Sequence, residues 1–132
     1  MASIVPVASC LYLVDGTIGY PGEKTDLVGI FNTINADAFP HVQRHFVVYA
    51  RLVQGLGRVA FHVEICDGRT QQLIHSSATN TLEFQDRDKT IELALTFQGV
   101  RFPHPGIFLV ELYCNDQWVA DARLQLNSRD LR

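Results

Sequence analysis

The segment Arg58–Cys66 constrains the fold of this chain more than any other. Val59, Phe61, Val63 and Ile65 alternate there with Ala60, His62, Glu64 and Cys66. A repeat of two places one set on a core and the other on the opposite face of a β-strand, and no helix accommodates it. Thr90–Val100 repeats the pattern, with Ile91, Leu93, Leu95 and Phe97 inward and Glu92, Ala94, Thr96 and Gln98 outward. Phe108, Val110, Leu112 and Cys114 then face Trp118, Ala120, Ala122, Leu124 and Leu126 across Asn115-Asp116, a dipeptide suited to a tight hairpin turn. Turn signals recur at short intervals: Asp15-Gly16, Pro21-Gly22, Gly55-Leu56-Gly57, Asp67-Gly68, Asp86-Arg87-Asp88, Pro103-His104-Pro105-Gly106. Short strands between such turns predict an all-β fold, a two-sheet antiparallel sandwich of seven to eight strands.

The remaining strands follow from composition: Pro6–Val14, Thr25–Ile34, His45–Val53 and Leu73–Phe84. The last is polar in its middle, at Ser76, Ser77, Thr79 and Asn80, which predicts a bulge or an edge position. A short turn is expected around Asn35–Phe39, stopped by Pro40. The 132 residues suit a single β-sandwich domain spanning 1–132. A chain of this length buries enough surface to need no metal or disulfide.

Charge and cysteine usage narrow the function classes. The net charge is −3 and the basic residues are scattered singly, without the stripe that neutralises phosphates, so no nucleic-acid partner is expected. No run approaches the about 18–20 apolar residues of a spanning helix, so no membrane partner is expected either. Cys10, Cys66 and Cys114 form an odd, sparse set that suits free thiols in a reducing compartment. A Cys66–Cys114 bridge is the alternative, but strand parity points Cys114 to the core and Cys66 away from it. Val7-Ala8-Ser9-Cys10 resembles a lipoprotein cleavage box, yet the first basic residue is Lys24 and the preceding apolar stretch is short. The segment reads as a first strand, and the expected location is cytoplasmic.

Three runs break the alternation: Leu27–Phe31, Phe46–Tyr49 and Ile107–Val110 are apolar on both faces. A half-exposed antiparallel strand should not be. Either a loop such as Asn35–Arg44 covers the second face, or that face meets a protein partner or a second copy in a homodimer, or the residues are scattered surface hydrophobics. The partner reading assigns an interaction role to Val28, Ile30, Val47, Tyr49, Ile107, Leu109 and Tyr113.

The pattern as a whole resembles a bacterial family of small cytosolic proteins catalogued as a domain of unknown function. The resemblance is carried by Ala8–Gly16, Leu27-Val28-Gly29-Ile30-Phe31, Phe39-Pro40, Asp67-Gly68 and Phe102-Pro103-His104-Pro105-Gly106-Ile107-Phe108, closed by the Asn115-Asp116 hairpin. It implies an immunoglobulin-like sandwich and no activity. Related chains often carry Tyr where Phe108 stands. A Tyr there bonds the backbone at a corner, so this corner should depend on packing.

No residue is assigned a catalytic, cofactor-binding or metal role. His62, Glu64 and Cys66 share a strand face at steps of roughly 6.5–7 Å, too far apart for one metal without help from a neighbouring strand. His41 and His45 lie beside Pro40 and need not share a face. Cys66 beside His62 lacks an evident oxyanion site. Glu83, Asp86 and Asp88 are interleaved with Arg87 and Lys89, as in a solvated turn. The leading expectation is a non-catalytic interaction module acting through a sheet face or edge. The alternative is a small-ligand sandwich with a loop-end pocket near Trp118, Tyr49 or His104. A small thiol or metal enzyme comes third.

Overall fold

The computed structural model describes residues 2–22 and 24–129. It is all-β, with ten strands: β1 (Val7–Gly19), β2 (Thr25–Phe31), β3 (Thr33–Ala36), β4 (His41–Val53), β5 (Gly57–Asp67), β6 (Leu73–Ser76), β7 (Asn80–Phe84), β8 (Ile91–Phe102), β9 (Gly106–Cys114) and β10 (Gln117–Ser128). Among the described residues no helix is long and apolar enough to cross a membrane. One sheet has the order β2-β1-β4-β8, and the other β3-β10-β9-β5, with β6 and β7 both on the far edge of β5.

The count exceeds the expected seven to eight because two predicted strands divide. Thr25–Ile34 breaks at Asn32, where the chain leaves the first sheet and β3 joins the second, parallel to β10. The expectation of purely antiparallel sheets fails at that pair. Leu73–Phe84 breaks in its polar middle and is an edge, as its composition predicted. Ser77 holds the gap: its amide donates to Val63 O at 2.8 Å and its hydroxyl accepts from Val63 N at 2.9 Å.

The predicted alternation organises the core. Val59, Phe61, Val63 and Ile65 of β5 and Phe108, Val110, Leu112 and Cys114 of β9 are buried from one sheet. Phe46, Val48, Leu52, Leu93 and Phe97 meet them from the other in one cluster. In β8 the inward set shifts from Leu93 and Phe97 to Val100 and Phe102 at Gly99, whose φ is 69°. A register shift between Trp118 and Ala120 in β10 turns Val119 toward the core and leaves Trp118 56% exposed. Asn115 and Asp116 have φ of 50° and 62°, the left-handed pair a two-residue hairpin demands. The three cysteines are free, with Cys66 and Cys114 buried. Phe108 packs edge-on against Phe102 with ring centroids 5.1 Å apart.

Asp15-Gly16 does not form the expected turn but lies inside β1. Residues Val7–Val14 pair with β4, whereas Leu13–Gly19 pair with β2, so beyond Val14 the β1–β2 ribbon leaves the sheet. It bends at Asp15 and Gly29. Gly29 has φ 69°, and a Cβ there would fall 2.2 Å from the Asp15 carboxylate. The ribbon folds back across the outer face of its own sheet. Leu27 packs on Val14, Val47 and Tyr49, and Thr25 Oγ1 donates to Glu92 Oε1 on β8 at 3.0 Å. This ribbon, and not Asn35–Arg44, covers the second apolar face of β4.

Candidate functional site

Two surfaces bring chemically capable side chains together. The first is the outer face of the six-stranded sheet. Strand register sets its rows. His62, Tyr113 and Trp118 lie in cross-strand register, then Glu64, Glu111 and Asp121, then Cys66, Leu109 and Arg123. The His62 and Tyr113 rings stack, 5.2 Å apart and 9° from parallel. His62 Nε2 lies 2.9 Å from Glu64 Oε2. Glu111 Oε1 accepts from Tyr113 Oη at 3.2 Å and from Cys66 Sγ at 3.3 Å. Three carboxylates in one row repel one another, and these donors offset part of that cost. Burial, followed by the neighbouring carboxylates, pushes Cys66 up to about 11 and Tyr113 up to about 12. His62, Glu64 and Cys66 do share a face. Among the described residues, however, no group of three His, Cys, Asp or Glu side chains is arranged to hold a metal.

The second surface continues from the first around the β5 and β9 ends. Asp67 is buried, and Oδ1 accepts from the amides of Arg69 at 2.8 Å and Thr70 at 3.2 Å. Oδ2 lies 2.8 Å from His104 Nε2. The two amides, ahead of His104, hold the Asp67 carboxyl below the ordinary range. His104 Nδ1 is 2.7 Å from Pro105 O, and the ring leans on Phe108 at 5.4 Å. Gly68 makes this closure possible: its amide donates to Ile107 O at 2.8 Å, and a Cβ would also fall 2.8 Å from that oxygen. The result is a cavity of about 520 Å³ walled by the 67–69 turn, the 104–107 turn, Leu109 and Arg123.

The structure divides the seven residues given an interaction role. Val47 and Tyr49 are buried under the β1–β2 ribbon, where they contact no outside molecule in this conformation. Val28 and Ile30 are exposed on β2, the free edge of the smaller sheet. Ile107, Leu109 and Tyr113 are half-buried on β9, in the opposite sheet. Of the three residues named for a loop-end pocket, only His104 lines this cavity. Tyr49 is covered, and Trp118 stands at the other end of β10. The Asp86 turn is closed by its own bonds, Asp88 N to Oδ1 and Lys89 N to the carbonyl. Sequence reasoning read Asp67-Gly68 only as a turn and passed over Arg69 and Arg123. An acidic residue before the turn glycine, followed by a basic one, was the available signal.

No curated protein matches the chain. Among solved structures, the alkylpurine DNA glycosylase of Pseudomonas fluorescens bound to DNA containing an abasic site analog is similar over 89% of this chain and 30% of that one. The identity is 10% and the TM-score 0.46. The chain thus spans less than a third of that protein, and nothing about its activity follows from so slight a likeness. A family model matches residues 11–127, from within β1 to the penultimate residue of β10. The chain belongs to that family, a family of unknown function, DUF6941.

Proposed function

We propose that this chain is a non-catalytic interaction module of a bacterial cytoplasmic system, and that its partner is a second copy paired through β2. The carrying observation is the β2 edge. Among the described residues no strand pairs with the far side of its seven residues, and Val28 and Ile30 are 46% and 58% exposed. Tyr12 of the adjoining strand is exposed as well. Natural edges are commonly blunted by Lys, Pro, inward charge or a bulge, and of these β2 carries only its bend at Gly29. Between Thr25 and Phe31 the one charged residue is Asp26. Antiparallel pairing of two such edges about a two-fold axis makes the contact self-complementary. Seven residues a side fall short of the about 1,200 Å² of a stable interface, so the association is weak.

Cys66 supports the non-catalytic reading: its thiol is buried, raised to about 11 and bonded to a carboxylate, the reverse of an activated nucleophile. The strand order supports an immunoglobulin-like reading of the fold. β4 and β8 stand together as B and E do, and β5, β9 and β10 stand as C, F and G do, with β1, β2, β3, β6 and β7 added around them. The free thiols and the family resemblance support the compartment and the source.

Sedimentation velocity between about 5 and 500 μM tests the proposal, since weak pairs populate that range. A concentration-dependent dimer that Ile30→Lys abolishes is expected. A strict monomer throughout, or a dimer indifferent to Ile30→Lys, removes it. A second reading, a small-ligand domain with a loop-end pocket, is favoured by the cavity beside His104.

A further inference from the structure

The cavity between the 67–69 and 104–107 turns has an electrostatic character that its acidic surroundings conceal. Its carboxylate is fully engaged. Both oxygens of Asp67 are taken up by two backbone amides and His104. Its cations are not. Arg69 and Arg123 are exposed on the cavity wall, and among the described residues neither guanidinium has a carboxylate within ion-pair distance. Two unpaired guanidiniums facing one space are suited to an oxyanion, which they can grip through planar, paired hydrogen bonds.

The rest of the wall defines what the oxyanion is attached to. Ile107 and Leu109 give an apolar floor. Both His104 nitrogens already face oxygens, so the ring offers its flat side and no free hydrogen bond. Gly68 and Gly106 put bare backbone on the rim, where a ligand can approach closely. About 520 Å³ lies within the range of small-molecule sites. We infer that this cavity binds a small organic oxyanion with a flat apolar body, a carboxylate or a phosphate ester, held by Arg69 and Arg123 over Ile107, Leu109 and the His104 ring. The inference rests on the loop-end pocket reading and is independent of pairing through β2.

The test is a backbone-amide NMR titration of the full chain with benzoate, phenyl phosphate, inorganic phosphate and the neutral benzamide, each to about 10 mM, because ligands of about ten atoms bind near the millimolar range. Benzoate or phenyl phosphate is expected to shift the Gly68, Arg69, His104, Gly106 and Ile107 signals saturably. Which of the two binds tighter separates the carboxylate from the phosphate form. Inorganic phosphate, lacking the apolar body, is expected to bind at least about tenfold more weakly. Arg69→Gln and Arg123→Gln, both surface changes that leave the core intact, should each weaken binding by about three- to tenfold. Benzamide binding as tightly as benzoate would keep a pocket but overturn its anion preference. No binding by any of the probes would overturn pocket and preference together. Anion binding unchanged in both arginine variants would place the site elsewhere and overturn the inference.

Discussion

The ribbon that covers β4 is held by a polar clamp whose strength can be worked from its geometry. Glu92 Oε2 accepts from the Tyr49 hydroxyl and from Arg51 Nη2 at 3.2 Å, while Oε1 accepts from Thr25 of the ribbon. Tyr49 is 3% exposed beneath Glu92, and its hydroxyl loses its carboxylate acceptor when Glu92 is removed. Leaving a buried donor unpaired costs about 1–3 kcal/mol. Glu92 itself is over one-third exposed and Arg51 about half, so their ion pair adds little, within about 0–1 kcal/mol. Glu92→Ala is therefore expected to lose about 2 kcal/mol. Tyr49→Phe leaves a carboxylate that water can reach and should lose about 1 kcal/mol. The double variant should lose about 2 kcal/mol rather than the sum, a coupling of about 1 kcal/mol. Urea unfolding monitored at Trp118 reads these values, and at a slope of about 2 kcal/mol/M the Glu92→Ala midpoint falls by about 1 M. The hydrogen bond from Tyr49 is the main influence holding the Glu92 carboxyl below its ordinary range. A carboxyl lowered on folding contributes stability that is complete above its unfolded value, about 4.3, and is lost as pH falls through the folded value. The gap between the native chain and Glu92→Ala should therefore persist at neutral pH and shrink below about pH 4. A Glu92→Ala loss under about 0.5 kcal/mol, or strict additivity with Tyr49→Phe, would refute the clamp.

Three further outcomes follow from local geometry. Ser77→Ala removes the acceptor of Val63 N, and because Val63 is buried the chain should lose about 1–2 kcal/mol in thermal or urea unfolding, with β6 amides exchanging faster by hydrogen exchange. Gly29→Ala and Gly99→Ala both force an L-residue to φ 69°, at about 1–2 kcal/mol each, but only Gly29 also meets Asp15, so its melting temperature should fall further. Cys66 and Cys114, buried and raised to about 11, should resist a thiol reagent at pH 7, where about one thiol in ten thousand is ionised, while half-exposed Cys10 reacts first; mass spectrometry of the labelled peptides reads the order.

Most of the strands were legible in the sequence because the signal is local. In β5 the inward positions are apolar and the outward ones mostly polar, and in β9 Phe108, Val110, Leu112 and Cys114 fall at every second position; a period of two needs no knowledge of the neighbours. The Asn115-Asp116 turn was legible for the same reason, since its backbone angles are a property of two residues. The polar middle of Leu73–Phe84 announced its edge. The break at Asn32 was not legible, because Leu27–Phe31 and Ile34 are equally β-prone, and only the pairing of β3 with β10 separates them.

The candidate sites were legible in smaller part. His104 was named for a loop-end pocket and lines one. Asp67, Arg69 and Arg123 are far apart in sequence from it, and only the closure of Gly68 on Ile107 brings the turns together. The Glu64, Glu111 and Asp121 row likewise depends on a register that one residue of slip would erase. The apolar second face of β4 shows the division most clearly. Composition placed Val47 and Tyr49 in a run apolar on both faces, with a loop, a partner or solvent left open as what meets the second face, since burying such side chains is favourable whatever does the covering. What covers them was settled by tertiary structure: a left-handed bend at Gly29, seated on Asp15, turns the β1–β2 ribbon back over its own sheet and joins Thr25 to Glu92. The hydrophobic effect has no direction and so could not name the partner. The bend and the hydrogen bonds do have one.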